Sequence, residues 1–402
     1  MMPFMDAQTF SVAVAWTFRL RTTEDAFQPD NAVLLDELRR DARPGQAVRA
    51  LAVLDAGVVE ADPGLPHRVH AWFQANEGAG VRLAAAPQVL TGGEPGKMGL
   101  GIVERLGRLC AEVGLCRHSY LVMVGGGALL DAAGFAGSLV HRGIRQIRLP
   151  TTTLAQCDAG LGVKNAVNAF GQKNFLGTFT VPRAIINDRA FLDRQDDRSW
   201  RAGVAEAVKV GIIKDAAFVR RLHEIAPAIA GRDRSALAEA IDCCAALHLE
   251  HITTAGDPFE LGSSRPLDFG HWSAHRLEVM SGHRLQHGEA VAIGVALDLA
   301  YACETGRIAS SDVELCWRTL STVGFRLWDE CLDLKDAAGG RLVLGGLAQF
   351  REHLGGELTL AMPDGLGRRQ DIDHLDHATF ERACGRLRRW LAAQQRPAAV
   401  PA

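Results

Sequence analysis

Apolar positions in the first half of the chain fall into short blocks closed by turn residues. Ala50-Leu-Ala-Val-Leu54 ending in Asp55, Tyr120-Leu-Val-Met-Val124 ending in Gly125, and Ile147-Arg-Leu-Pro150 have the pattern of buried strands. Residues 102–113 carry their apolar side chains at helical spacing, and residues 10–18 read as one more strand. From about 10 to 188 strand and helix signals alternate, which predicts an α/β domain around a parallel sheet. After about 191 the texture changes: 201–213, 216–225, 236–253 and 287–304 show helical spacing with few strand signals, predicting an all-α second domain. Residues 356–362 followed by Pro363-Asp-Gly-Leu-Gly367 predict a strand and turn, and 378–392 a last helix. The Pro- and Ala-rich final residues, 393–402, read as a flexible tail.

Composition narrows the classes. The 402 residues suit two domains, and 48% hydrophobic with 23% charged residues excludes disordered and fibrous chains. With 44 basic against 47 acidic residues, no overall positive field exists for nucleic acid or an anionic membrane, although a local basic pocket stays open. Nine scattered cysteines with no CxxC pair suggest reduced thiols in a cytoplasm. The N-terminus lacks the basic region and cleavage site of a signal peptide, and the longest apolar stretch, near 290–302, is interrupted by Asp298. That stretch is shorter than the roughly 20 residues a membrane span needs, so no membrane partner is expected. No internal repeat or low-complexity block is present.

Three stretches carry candidate chemistry. In Val124-Gly125-Gly126-Gly127-Ala-Leu-Leu-Asp131 a strand runs through three glycines into a helical pattern, a turn whose free amides suit a pyrophosphate but which also serves as a plain tight turn. Asp55, at an earlier strand end, suits either a ribose hydroxyl or a helix cap. Glu206 and Lys209, His271 and His275, and His287 form a set of possible metal ligands, since two histidines and a carboxylate suit a catalytic zinc with an open position. Taken singly, each of these five is more often a helix-surface charge or a satisfied buried histidine. Pro150-Thr151-Thr152-Thr153 followed by Asp158, Lys164, Asn168, Lys173 and Asn174, among glycines, could surround an anionic, hydroxyl-rich ligand or form a solvated loop.

Together these pieces resemble the sugar phosphate cyclase family, whose best-known member is 3-dehydroquinate synthase. The resemblance rests on Gly92-Gly-Glu94-Pro-Gly-Lys97, the Gly125 turn through Phe135, Pro150-Thr-Thr152, Asp158 through Lys164, Gly171-Gln-Lys173-Asn174, Glu206-Ala-Val-Lys209, Asp268-Phe-Gly-His271 and His287-Gly-Glu-Ala-Val-Ala292. It implies an α/β N-terminal nucleotide-binding domain over residues 1–190 and an all-α C-terminal domain over 191–392, which binds metal and substrate, with the active site in the cleft. Carried over by position, it implies Glu206, His271 and His287 as ligands of Zn2+, with Co2+ as a substitute. NAD would lie over Gly125, Gly126 and Gly127 near Asp55, Glu94, Lys97, Asp131, Thr151 and Thr152. Asp158, Lys164, Lys173, Asn174, Lys209, Asp268 and His275 would face the sugar phosphate, and Arg142 would reach a neighbouring subunit's phosphate, implying a homodimer.

Departures within the family point to substrate. Dehydroquinate synthases place a lysine where this chain, counting back from Asp257, has Glu250, and an acid there repels a carboxylated substrate. Asp268 replaces an asparagine and resembles the branch that cyclises sedoheptulose 7-phosphate to a valiolone, as do residues 23–31 and 363–368. Arg265 follows Glu250 in the substrate loop, and Arg368 stands in for an absent C-terminal lysine. His275, in contrast, is dehydroquinate-like, and the string Phe269 to His275 resembles a little-defined cyclase branch of ebo-type gene clusters. The resemblance therefore implies a C7 ketose phosphate substrate. The alternatives are 3-dehydroquinate synthase, a metal-dependent alcohol dehydrogenase and a catalytically silent NAD-binding protein.

Overall fold

The computed structural model describes residues 7, 9–254, 257–259, 262 and 264–394. In chain order the first half contains β1 (Arg19–Thr23), α1 (Val33–Arg39), β2 (Val48–Asp55), α2 (Ala56–Ala61), α3 (Leu65–Ala75), β3 (Val81–Leu83), β4 (Gln88–Leu90), α4 (Gly93–Gly96) and α5 (Gly101–Glu112). There follow β5 (Tyr120–Gly125), α6 (Gly127–Leu139), β6 (Arg145–Pro150), α7 (Thr153–Cys157), β7 (Lys164–Ala169), β8 (Gln172–Phe179) and β9 (Ala184–Asp188). Seven strands form one parallel sheet in the order β1-β9-β6-β5-β2-β3, with β4 pairing the C-terminal part of β2 beyond β3. Ala50, Ala52 and Leu54 face α1 and α3, while Leu51 and Val53 face α5 and α6. Burial on both faces makes the strands continuous apolar runs, which is why they are legible in the sequence.

The strand order fixes where a ligand fits. From β2 the chain moves toward one edge through β3 and β4; from β5 it moves toward the other through β6 and β9. Such a reversal opens a crevice at the carboxyl ends of the two central strands, here Asp55 and Gly125. Two expectations need correction. Residues 10–18 form no strand: Phe10, Val12, Val14 and Trp16 are exposed, and pairing with β9 begins only at Arg19. Alternation alone does not make a strand where no neighbouring backbone takes its hydrogen bonds. The glycine-rich polar stretch after Asp158, read as a loop, instead folds from Lys164 into the antiparallel β7–β8 hairpin, its tip at Phe170 and Gly171, both in the left-handed region.

The second half contains α8 (Asp197–Lys214), α9 (Ala216–Ala230), α10 (Arg234–Thr254), α11 (His271–Met280), α12 (His287–Glu304), α13 (Ser310–Val323), α14 (Gly345–His353) and α15 (His377–Gln394). Among its described residues it is helical, as expected, apart from one antiparallel hairpin, β10 (Leu360–Pro363) with β11 (Arg369–Ile372). The sequence had signalled the first strand of that hairpin but not the second. α12 is buried around nearly its whole circumference, and Gly288 lets it approach α8 so closely that a Cβ there would lie 2.5 Å from the Ala202 carbonyl oxygen. This contact sets His287 against the Glu206 face of α8. No helix among the described residues is long and apolar enough to cross a membrane.

Candidate active site

At the crevice, Gly126 is extended and no side chain caps α6, so the first amides of that helix are left to an anion. Asp55 makes the cap to α2, accepting from Gly57 N at 2.9 Å, while burial raises its pKa against the Gly57 and Gly126 amides. Thr151 is buried, with its hydroxyl oxygen lacking a hydrogen-bond partner, and Thr152 caps α7 through Ala155 N at 3.1 Å. Lys97 is ion-paired with Asp131 of α6. Glu94 accepts from Asn168 Nδ2 at 2.7 Å and lies 3.5 Å from Lys173 Nζ. Asp55, Thr151 and Thr152 thus border the Gly125–Gly126 turn, Lys97 is tied to Asp131 on α6, and Glu94 contacts Asn168 and Lys173 of the β7–β8 hairpin.

Glu206, His271 and His287 come from α8, α11 and α12 and meet with their ligand atoms all within 4.8 Å of one another. Glu206 is fully buried, and its Oε1, which receives no hydrogen bond, lies 3.7 Å from Nε2 of His271 and 3.7 Å from Nε2 of His287. A buried carboxylate oxygen without a donor, facing two imidazole nitrogens, fits a divalent ion. His271 directs its Nδ1 to the Phe269 carbonyl at 3.2 Å, and burial together with Lys209 and His275 holds its pKa well below the usual range. His287 titrates high instead: burial opposes its charge, but the Glu278 carboxylate at 3.3 Å from Nδ1 outweighs it.

Beside this set, Lys209 lies one helical turn beyond Glu206 and is ion-paired with it. Burial opposes the Lys209 charge, yet Glu206 and Asp158 raise its pKa, so it stays an ammonium. Burial likewise opposes ionisation of Asp268, but Lys164, His271, Lys209 and His275 hold its carboxyl well below the usual range. Burial and the neighbouring His287 push His275 down to about 4. Lys173 reaches Glu278 at 2.9 Å, while Asn174, left-handed at φ 54°, is exposed.

Of the other expected residues, Glu250, Arg368 and Arg142 are exposed. Glu250 is exposed, with Lys214 as a charged neighbour, and the face of α10 toward Asp158 instead presents His248, whose Nδ1 is 3.4 Å from the Asp158 carboxylate. Arg368 is exposed in the β10–β11 turn, where its neighbour Arg369 contacts Ser264 and Asp371. Arg265 is half-buried before Asp268. Arg142 is exposed in a left-handed turn with His141, remote from its own crevice in that it leaves the far end of α6. The sequence reading missed His248 and Glu278. The latter had a signal, because 271, 275 and 278 follow the i, i+4, i+7 spacing of one helix face.

Residues 88–202 match the model of the 3-dehydroquinate synthase N-terminal domain, and residues 203–339 match that of the C-terminal domain. A 2-epi-5-epi-valiolone synthase from Streptomyces glaucescens is 31% identical over 367 residues, spanning 90% of this chain and 89% of that one. The chain belongs to the 3-dehydroquinate synthase-like sugar phosphate cyclase family. A 3-dehydroquinate synthase from Pyrobaculum islandicum is 39% identical over 252 residues, 62% of this chain and 72% of that relative. Among solved structures, the 2-epi-5-epi-valiolone synthase of Streptomyces hygroscopicus subsp. jinggangensis, with NAD+ and Zn2+ bound, has a TM-score of 0.82 at 25% identity, covering 95% of this chain and all of that one. Membership in this family accounts for the parallel-sheet domain followed by a helical one.

Proposed function

We propose that the protein is an NAD- and divalent-metal-dependent cyclase that converts a C7 ketose phosphate, sedoheptulose 7-phosphate, to a valiolone-type cyclitol with release of phosphate. The observation that carries this reading is the meeting of the buried Glu206–His271–His287 set with Lys209, Asp158 and Asp268 at the carboxyl edge of the sheet. The Gly125–Gly127 turn would hold NAD+, and Glu206, His271 and His287 would hold Zn2+ or Co2+. Bound there, the pair supplies a hydride acceptor and a Lewis acid that acidifies a ring alcohol. Such a reaction would release phosphate without net oxidation of the substrate. Lys209 keeps its proton and donates to a substrate hydroxyl, with Asp158 and Asp268 accepting from others. Lys164, Asn174 and His275, with Arg142 of a partner in a cytoplasmic homodimer, would hold the phosphate, so that elimination, ring opening and aldol closure depend on orientation more than on strong base.

The substrate choice rests on α10. Where a carboxylated sugar needs a cation, its inward face offers His248, with pKa lowered by burial, and His251, which burial and Lys214 push down to about 4. Both are neutral near pH 7. A second reading, 3-dehydroquinate synthase, is favoured by His275 and by the 39% identity to the Pyrobaculum islandicum enzyme. Incubation of the metal- and NAD-loaded protein with sedoheptulose 7-phosphate or with 3-deoxy-arabino-heptulosonate 7-phosphate separates them. Phosphate and a cyclitol mass from the first sugar alone are expected; release from the carboxylated sugar alone would establish the second reading.

A further inference from the structure

Glu278 is 3% exposed and belongs to no ligand role assigned above, yet each of its carboxylate oxygens has a partner. Oε2 lies 3.3 Å from Nδ1 of His287, and Oε1 lies 2.9 Å from Nζ of Lys173. His287 belongs to α12 of the helical domain, whereas Lys173 belongs to β8 of the hairpin in the first half of the chain. From Lys173 the contacts continue to Glu94 at 3.5 Å, and from Glu94 to Asn168 at 2.7 Å, beside the cofactor turn. One buried carboxylate therefore spans the two halves of the molecule between the candidate metal set and the candidate cofactor site.

We propose that Glu278 is a positioning residue for the metal ligand His287, itself held in place across the domain junction by Lys173. This rests on the metal site of the preceding section. The two nitrogens of His287 are divided: Nε2 faces Glu206, and Nδ1 faces Glu278. A carboxylate on Nδ1 fixes the proton there and leaves the Nε2 lone pair for a metal. Glu278 could itself be a ligand, since it also groups with His275 and His287. The hydrogen bonds decide against that: Glu206 Oε1 has no donor, while both oxygens of Glu278 are engaged. A carboxylate this buried is stable only while paired, so loss of Lys173 frees Glu278 to turn away and His287 with it.

The test is titration of metal-free protein with Co2+, followed by its visible ligand-field absorption, for wild type, Glu278→Gln, Lys173→Met and the double variant, with thermal unfolding as the check on folding. Glu278→Gln is expected to weaken Co2+ binding by about 10- to 100-fold, the usual effect of losing an outer partner of a ligating histidine. Lys173→Met is expected to weaken it several-fold, and to add little in the Glu278→Gln background. If Lys173 acted only through its charge, its removal would make a cation bind more tightly. Unchanged affinity in Glu278→Gln, or unchanged or tighter binding in Lys173→Met, overturns the proposal. Lys173→Met, on a hairpin, decides the matter should Glu278→Gln fail to fold. Wild-type protein that takes up no Co2+ overturns the metal reading itself, whereas wild-type binding with unaffected variants overturns only the role of Glu278.

Discussion

Lys209 shows how much chemistry one buried side chain can hold. It is 1% exposed, and Glu206, Asp158 and Asp268 favour its charge against the cost of burial. Replacing it with methionine keeps the volume and removes the donor. Lys209→Met is expected to lower kcat by about 100-fold, as for loss of one preorganised donor, with bound metal measured at the wild-type amount; loss of metal together with activity would make Lys209 part of the metal site instead. At this scale the sequence revealed residue types better than directions. Glu206, His271 and His287 were legible through the family resemblance, because donor chemistry alone left Lys209 and His275 beside them as candidates. His248 and Glu278 were not, because a single histidine or acid in a helix looks like any surface residue until its neighbours from other elements are known. Glu250 was inferred by counting back from Asp257 and Arg368 from a missing C-terminal lysine, and helix rotation and turn geometry place both side chains outward.

At the scale of elements, the start of α11 is pinned from α12. Asp298 accepts from Gly270 N at 3.1 Å and from Trp272 Nε1 at 2.9 Å, on either side of His271. Burial pushes its carboxyl up to about 7 from 3.8, against those two donors. The native state thus keeps this proton longer than the unfolded chain, so its contribution to stability is full below pH 3.8 and is lost as pH rises through about 7. Denaturant unfolding of the metal-free protein should show a loss from pH 5 to pH 8 that is smaller in Asp298→Asn by on the order of 2–3 kcal/mol; equal losses would mean that Asp298 does not titrate in this range. The elements most legible in the sequence were those buried on both faces, such as β2 and β5, and the long amphipathic helices. The β7–β8 hairpin was hidden because its glycines and amides carry no two-sided apolar pattern, and residues 10–18 misled because their alternation has no partner strand among the described residues.

For the whole molecule, the proposed functional arrangement is a junction: the α/β domain brings a helix N-terminus and the β7–β8 hairpin, and the helical domain brings a buried donor set. Nothing in composition or periodicity located that junction; the topological reversal between β2 and β5 does. Arg142 leaves this junction on the surface, which suits action in a second subunit. On the proposed homodimer, Arg142→Ala and His271→Ala, each inactive alone, should regain activity when dissociated and reassembled together, because a mixed dimer would then contain one intact site. Absence of recovery, with mixed dimers confirmed by mass, would place Arg142 elsewhere.

The proposed reaction is a redox-neutral loss of phosphate. It is tested most directly by following released phosphate and reduced-nicotinamide absorbance in one reaction of the metal- and NAD-loaded protein with sedoheptulose 7-phosphate. Many phosphates per subunit with no net rise in NADH is the predicted result. NADH accumulating in step with turnover, without phosphate, would contradict it and make the protein a dehydrogenase built on the same fold.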